Sequence, residues 1–268
     1  MGSVYGMKLY QIDAFTDTLF SGNPAGVCLV NDTWPSEQTM QNIAMENNLS
    51  ETAFVLCNAA GVTMGIRWFT PVAEVGLCGH ATLAAAHALF NHESVQAKEL
   101  VFESRRGILK VAYEDELLML DFPRDDIRKI TFEEPLDCFQ FKPKEVWRGT
   151  EEYILVFEDE AQVKTAVCNL QKAAKVDLSG FIITAVSNQP GVDFVSRYFS
   201  PKFGLDEDPV TGSAHTLLVP YWQGVTGRDT FNARQISKRG GKLFCRAEGS
   251  RVKIGGKAVT FFAGEIFL

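Results

Sequence analysis

The sequence predicts an α+β chain that is written twice, as two lobes that fold alike. Three observations predict this. Four sequence blocks recur in the same order, strand-like and helix-like patterns fill each copy, and 268 residues suit two domains of ordinary size better than one core. "IRWFTP" (Ile66 to Pro71) has its partner in "SRYFSP" (Ser196 to Pro201), so Arg67 and Arg197 stand 130 residues apart. "LSETAFVL" from Leu49 matches "LSGFIITAV" from Leu178, "GHATLAAAHAL" from Gly79 matches "GSAHTLLVPYW" from Gly212, and "SRRG" from Ser104 matches "SKRG" from Ser237. Blocks that keep their order and nearly their spacing mark an internal duplication.

Within the first half the elements follow from periodicity. Lys8–Phe15 and Ala25–Val30 have strand texture, and Ser36–Asn47 has helical spacing. Strands are predicted again over 52–56 and 65–69. After a glycine turn comes the Ala-rich helix His80–Phe90, then strands over 99–104, 107–113 and 117–122. This alternation fits a sheet wrapped around one buried helix. The run Ala84 to Ala86 lets that helix lie close to its surroundings, since small side chains permit close backbone approach. The charged stretch Pro123 to Asp137 reads as a crossover. The first lobe is therefore expected over residues 1–123, completed by the C-terminal strand near 258–268, and the second over 124–257. The site is expected in the cleft between them, where substrate sites often form.

Composition excludes several functions. A net charge of −7 argues against nucleic acid or an anionic membrane as partner. No apolar run approaches the roughly 20 residues that span a bilayer, and "MGSVYGMKLYQ" lacks the apolar core of a signal peptide. A cytoplasmic protein is expected, with Met7 a candidate natural start. The six cysteines, Cys28, Cys57, Cys78, Cys138, Cys168 and Cys245, have no metal-ligand spacing and read as reduced thiols. No two histidines fall at a metal spacing with a carboxylate, and no phosphate-loop pattern appears, so neither metal nor cofactor is expected.

Function should break the symmetry of a duplicated scaffold. Glu46 aligns with Lys175, His80 with Ser213 and Cys78 with Thr211, while "LDEDP" (Leu205 to Pro209) belongs to the second copy alone. Gly79-His80-Ala81 and Gly212-Ser213-Ala214 each precede a predicted helix. Helix N-termini attract anions, so two of them suit a small carboxylate substrate in an acidic protein. Ordinary capping by Ser213 is the alternative. His80 is a candidate acid/base or a core histidine; His87, His92 and His215 read as structural.

At these blocks the sequence resembles the phenazine biosynthesis-like, or PhzF, family. The motifs are "DAFTDTLFSGNPAGV" (Asp13 to Val27), "ENNLSETAFV" (Glu46 to Val55), "RWFTPVAEVGLCGHATL" (Arg67 to Leu83) and "RYFSPKFGLDEDPVTGSAH" (Arg197 to His215). The resemblance implies a diaminopimelate-epimerase-like fold, each lobe a hot-dog-like barrel around a central helix, and a homodimer. It implies Glu46 as the catalytic acid/base with His80 and Asp208 beside it. Gly79, Gly212 and Ser213 would receive the substrate, with Asn23 placed there by its closeness to a motif. The phenazine enzyme of the family isomerises a dihydro-hydroxyanthranilate by proton transfer without metal or organic cofactor. A carboxyl group that removes and returns a proton needs its pKa lifted by burial, so Glu46 is expected to point away from water.

The function expected is a cofactor-independent isomerase acting on a small unsaturated or cyclic carboxylate. Two alternatives stand beside it. One is epimerase-type proton exchange using Cys78 with Asp208; the other is a non-catalytic, partner-binding protein on the same scaffold.

Overall fold

The computed structural model describes residues 6–57, 63–132 and 136–268, and part of the junction stretch Pro123 to Asp137 lies outside them. The chain is a mixed fold of many strands and few helices, in two compact units: residues 1–121 with 255–268, and residues 122–254.

In the first unit the chain runs β1 (Gly6–Ala14), β2 (Asn23–Asn31), α1 (Glu37–Asn47), β3 (Glu51–Cys57), β4 (Thr63–Phe69), β5 (Glu74–Val75), α2 (Gly79–Asn91), β6 (Glu99–Ser104), β7 (Gly107–Glu114) and β8 (Leu117–Pro123). The second unit continues with β9 (Arg128–Ile130), β10 (Glu145–Arg148), β11 (Glu152–Val156), the short helices α3 (Glu160–Thr165) and α4 (Leu170–Ala173), β12 (Gly180–Val186), β13 (Phe194–Ser200), β14 (Leu205–Asp208), α5 (His215–Thr226), β15 (Thr230–Gln235), β16 (Gly241–Glu248) and β17 (Arg251–Gly256). The last strand, β18 (Ala258–Phe267), pairs antiparallel with β1, joining Gly6 to Phe267 and Ala14 to Ala258.

The duplication is visible in the pairing. In the first unit β1–β2 is antiparallel, β2–β3 parallel, β3–β4 antiparallel, β4–β6 parallel and β6–β7 antiparallel. The second repeats this sequence as β10–β11, β11–β12, β12–β13, β13–β15 and β15–β16. Parallel neighbours need a crossover, which α1 supplies between β2 and β3 and α3 with α4 supply between β11 and β12.

Ser36 caps α1 by accepting from the Thr39 amide, and Asn48 closes the helix in the left-handed region at φ 49°. Helix α2 is buried from Gly79 to Ala86 and again at Ala88 and Leu89, packed on β1, β2, β3 and β18. Its alanines make that close packing possible. In the second unit α5 holds the equivalent place, and Phe194 of β13 stacks beneath it on Trp222, with ring centroids 5.4 Å apart and planes 10° from parallel.

The recurring Arg–aromatic–Phe motif acts as a clamp. Arg67 grips Glu74 with two bonds of 2.8 Å, and Arg197 grips Glu207 with bonds of 2.6 and 2.9 Å. Each guanidinium also lies over the Phe two residues on, Arg67 at 5.3 Å from the Phe69 ring and Arg197 at 4.9 Å from that of Phe199. The clamp ties the short strand ahead of α2 or α5 to the sheet. It also sets the correspondence between copies: Trp68 pairs with Val75 as Tyr198 pairs with Asp208, so Asp208 stands where the first copy has Val75.

One strand position breaks the symmetry in the core. Glu51 opens β3, and Gly180 opens β12 at the equivalent register. A Cβ on Gly180 would stand 2.5 Å from the Phe199 carbonyl oxygen, a backbone atom that cannot easily give way. Gly180→Ala is expected to lower unfolding free energy by about 1–3 kcal/mol in urea titration, and an unchanged midpoint would show that β12 absorbs the methyl.

Candidate active site

In the first unit, strand β3 and helix α2 bring together residues distant in sequence. His80, one residue into α2 and 5% exposed, is the centre. Its Nε2 stands 3.2 Å from Glu51 Oε2, and its Nδ1 lies 3.5 Å from Cys78 Sγ and 3.2 Å from Asn23 Nδ2. Ser50 Oγ donates to Asn23 Oδ1 at 3.1 Å, which turns the Asn23 amide nitrogen toward His80. An amide nitrogen only donates, so in the neutral ring Nδ1 accepts and the single ring proton sits on Nε2, facing the Glu51 carboxylate. Burial alone works against a charged His80, but the acidic partners Cys78 and Glu51 outweigh it and raise the imidazole's pKa well above its ordinary value. The Cys78 thiol is itself pushed up, first by burial and then by Glu51.

Local structure explains the gathering. Asn23 begins β2 and Glu51 begins β3, parallel neighbours whose starts lie side by side with Ala25 opposite Glu51. Cys78 is the N-cap of α2 and has no side-chain capping bond, so the positive end of the helix dipole faces this group. Thr82 Oγ1 donates to the Cys78 carbonyl at 2.6 Å and fixes the first turn.

Glu46 does not join the cluster. It lies exposed on the last turn of α1, so the expectation that it is withdrawn from water is not met. The helix turns Met40, Ile43 and Ala44 inward and leaves Met45 and Glu46 to solvent. Glu51, five residues on, is the carboxylate the fold delivers, with its side chain 19% exposed. The mismatch of "LSE" with "LSG" between the copies was the signal for it. Asn23, wholly buried, orients His80. Gly79 stands at the start of α2 as expected.

In the second unit Asp208 is 6% exposed, and its carboxylate accepts from the Thr211 hydroxyl. Gln235 ties down the same loop, donating to the Asp208 carbonyl at 2.8 Å and accepting from the Thr211 amide at 2.8 Å. Gly212 and Ser213 form a tight turn before α5, whose N-cap is Ala214 without a side-chain bond. Ser213 is thus not the cap that its residue type suggested; its carbonyl accepts from Thr216 instead.

His215 opens α5 fully buried. Its Nδ1 donates to the Thr211 carbonyl at 3.0 Å, and burial holds its pKa down to about 4. Between pH 6.5 and about 4 the unfolded chain takes up a proton here and the folded chain does not. Stability is therefore expected to fall as pH drops through that window, by up to about 3 kcal/mol, with no slope from this group above it. Denaturant titrations of wild type and His215→Asn across the window should diverge by that amount. Glu152, whose pKa is raised to about 7 chiefly by burial, is common to both chains and cancels in the comparison. Parallel curves would refute the assignment.

Comparison with known proteins places these features in context. The model of the phenazine biosynthesis-like protein family matches residues 12–264. A Pseudomonas aeruginosa protein named as an uncharacterized isomerase is 45% identical over 263 residues, covering 98% of this chain and 99% of its own length. The crystal structure of a PhzF-family phenazine biosynthesis protein from Enterococcus faecalis superposes with a TM-score of 0.93 at 42% identity, covering 98% of this chain and 100% of that one. A hydroxyproline epimerase from Agrobacterium vitis shares the fold alone, with a TM-score of 0.62 at 12% identity over 98% of this chain and 93% of that one.

Proposed function

The chain belongs to the phenazine biosynthesis-like family, and from that premise we propose that it is a cofactor-independent isomerase of a small unsaturated or cyclic carboxylate. The observation that carries this is the contact of Glu51 with His80 at the N-terminus of α2. On this reading Glu51, rather than Glu46, is the acid/base. It takes a proton from a carbon conjugated with the substrate carboxylate; the C–H electron pair delocalises toward the carboxylate oxygens as a dienolate-like anion. Glu51 then returns the proton to a different carbon, so that only the double-bond position changes. The α2 dipole and the backbone at Gly79 favour the developing negative charge. His80, held by Asn23, orients the Glu51 carboxyl. Asp208, Gly212 and Ser213 are proposed to serve the same substrate from the second unit. A hot-dog-like barrel around the central helix of each unit and a homodimer belong to the same proposal, and sedimentation analysis measures the latter.

The buried Cys78 thiol beside His80 supports one rival, epimerase-type exchange by Cys78 with Asp208. Solvent deuterium incorporation followed by NMR, over a panel of small unsaturated and cyclic carboxylates, tests both. Isomerisation with deuterium at a new carbon supports the proposal, and exchange confined to one stereocentre and lost in Cys78→Ser supports the rival. No exchange with any member of the panel would overturn both.

A further inference from the structure

Glu51, Cys78 and His80 each offer one ligand atom to a single small volume, with the three atoms within 4.8 Å of one another. The donors are a carboxylate oxygen, a thiol sulfur and an imidazole nitrogen. Sulfur and nitrogen are poor partners for calcium or magnesium, whereas all three donors suit zinc, whose catalytic sites use three protein ligands and keep a fourth position open.

A second observation points to an occupant. His80 Nε2 and Glu51 Oε2 are both shielded from water, and among the described residues neither has an aligned hydrogen-bond partner, although they stand 3.2 Å apart. Buried polar atoms are nearly always satisfied, and an ion seated among the three donors would satisfy both atoms of this shielded pair together with the thiol.

We propose that Glu51, Cys78 and His80 form a binding site for a single Zn2+, and that the bound ion arrests isomerisation by occupying the acid/base. Binding is independent of the proposed function, while the arrest rests on it. The chemistry balances without oxidant or reductant. The Cys78 S–H bond breaks, its proton leaves to solvent, and the sulfur, which lies 3.5 Å from Nδ1, turns about the Cα–Cβ bond toward Nε2; that sulfur, the Glu51 carboxylate oxygen and the His80 Nε2 each donate a lone pair to the ion. The ring that binds is neutral, with its one proton on Nδ1 and the Nε2 lone pair on the ion; any second ring proton leaves to solvent.

The surroundings accept that change. With Nδ1 protonated, Asn23 must present its oxygen, which a flip of the amide achieves. Ser50 Oγ, now donating to Asn23, can equally accept from the flipped amide because a hydroxyl serves either role. Asn23 is then the outer partner that holds the ligating ring, as zinc-bound histidines commonly have. The site escapes sequence inspection because Glu51 and Cys78 are 27 residues apart and fall in no spacing that zinc motifs use.

Cobalt(II) titration of the metal-free chain tests the proposal, since cobalt reports a thiolate ligand through near-ultraviolet charge transfer and tetrahedral geometry through visible bands. One equivalent is expected to saturate both signals, and Zn2+ is expected to displace them. Cys78→Ser should abolish the charge-transfer band. Cys57→Ser, which alters a half-buried thiol near Glu93 in a separate cavity, should leave it intact. Asn23→Ala should retain the band and weaken Zn2+ binding by about 10–100-fold, an outcome that does not depend on Cys78→Ser folding. An unchanged band in Cys78→Ser, or no saturable signal in the wild type, would overturn the site. If binding stands but no isomerisation is ever detected, the isomerase reading fails and the metal site does not. If activity is detected, Zn2+ should abolish it reversibly on chelation, and activity indifferent to bound Zn2+ would overturn the arrest.

Discussion

Glu51→Gln is expected to slow solvent deuterium incorporation by about 10²–10⁴-fold, while Glu46→Gln leaves it near the wild-type rate. Gln keeps the shape of Glu and its approach to His80 but cannot carry a proton between two carbons. The contrast follows from geometry. Glu51 Oε2 lies 3.2 Å from His80 Nε2 and is shielded from water, whereas Glu46 sits exposed on the last turn of α1. A proton carrier in bulk solvent gives up its proton to water and gains nothing from nearby dipoles; one in a shielded site keeps it and feels the α2 N-terminus strongly. Both variants are followed by NMR with the substrate that shows exchange in the wild type. Exchange that survives Glu51→Gln and disappears in Glu46→Gln would return the role to Glu46.

Phe194→Ala is expected to cost about 3–5 kcal/mol of unfolding free energy, the largest single-residue effect on stability anticipated here. Phe194 is wholly buried on β13 beneath α5. It stacks on Trp222 and lies 5.9 Å from both His215 and Phe231, ring centroid to ring centroid. Truncation removes the transfer energy of the ring, leaves a cavity that two stiff aromatic neighbours cannot fill, and breaks three ring contacts. Denaturant titration should move the midpoint down without a large change of slope. A loss below about 1 kcal/mol would mean that α5 resettles onto β13, against the close packing of protein interiors. Because α5 begins at His215, just after Gly212 and Ser213, the same variant should also loosen the loop that carries Asp208.

Much of the fold was legible in the sequence. The helices Ser36–Asn47 and His80–Phe90 were predicted to within about a turn of α1 and α2, because amphipathic and Ala-rich periodicities are local. The repeated Arg–aromatic–Phe motif announced the duplication, although its work as a clamp on Glu74 and Glu207 could not be read from spacing. The three extra residues in the second copy hid that Glu74 and Glu207 are counterparts. His80 and Cys78 stand together because they are two residues apart and flank a helix start.

Glu51 was missed for a physical reason. Strand polarity within one copy does not say which carboxylate faces a helix 27 residues further on; Glu46 and Glu51 are both acidic residues in the same motif. The parallel pairing of β2 with β3 and the burial of α2 against both decided it. The sequence by itself determined the duplication, the strand-rich texture of each copy and the family, all of which are written in local patterns and their recurrence. Only the tertiary structure decided which acid meets His80, because a contact between separate elements depends on register and packing, and these come into being when the chain folds.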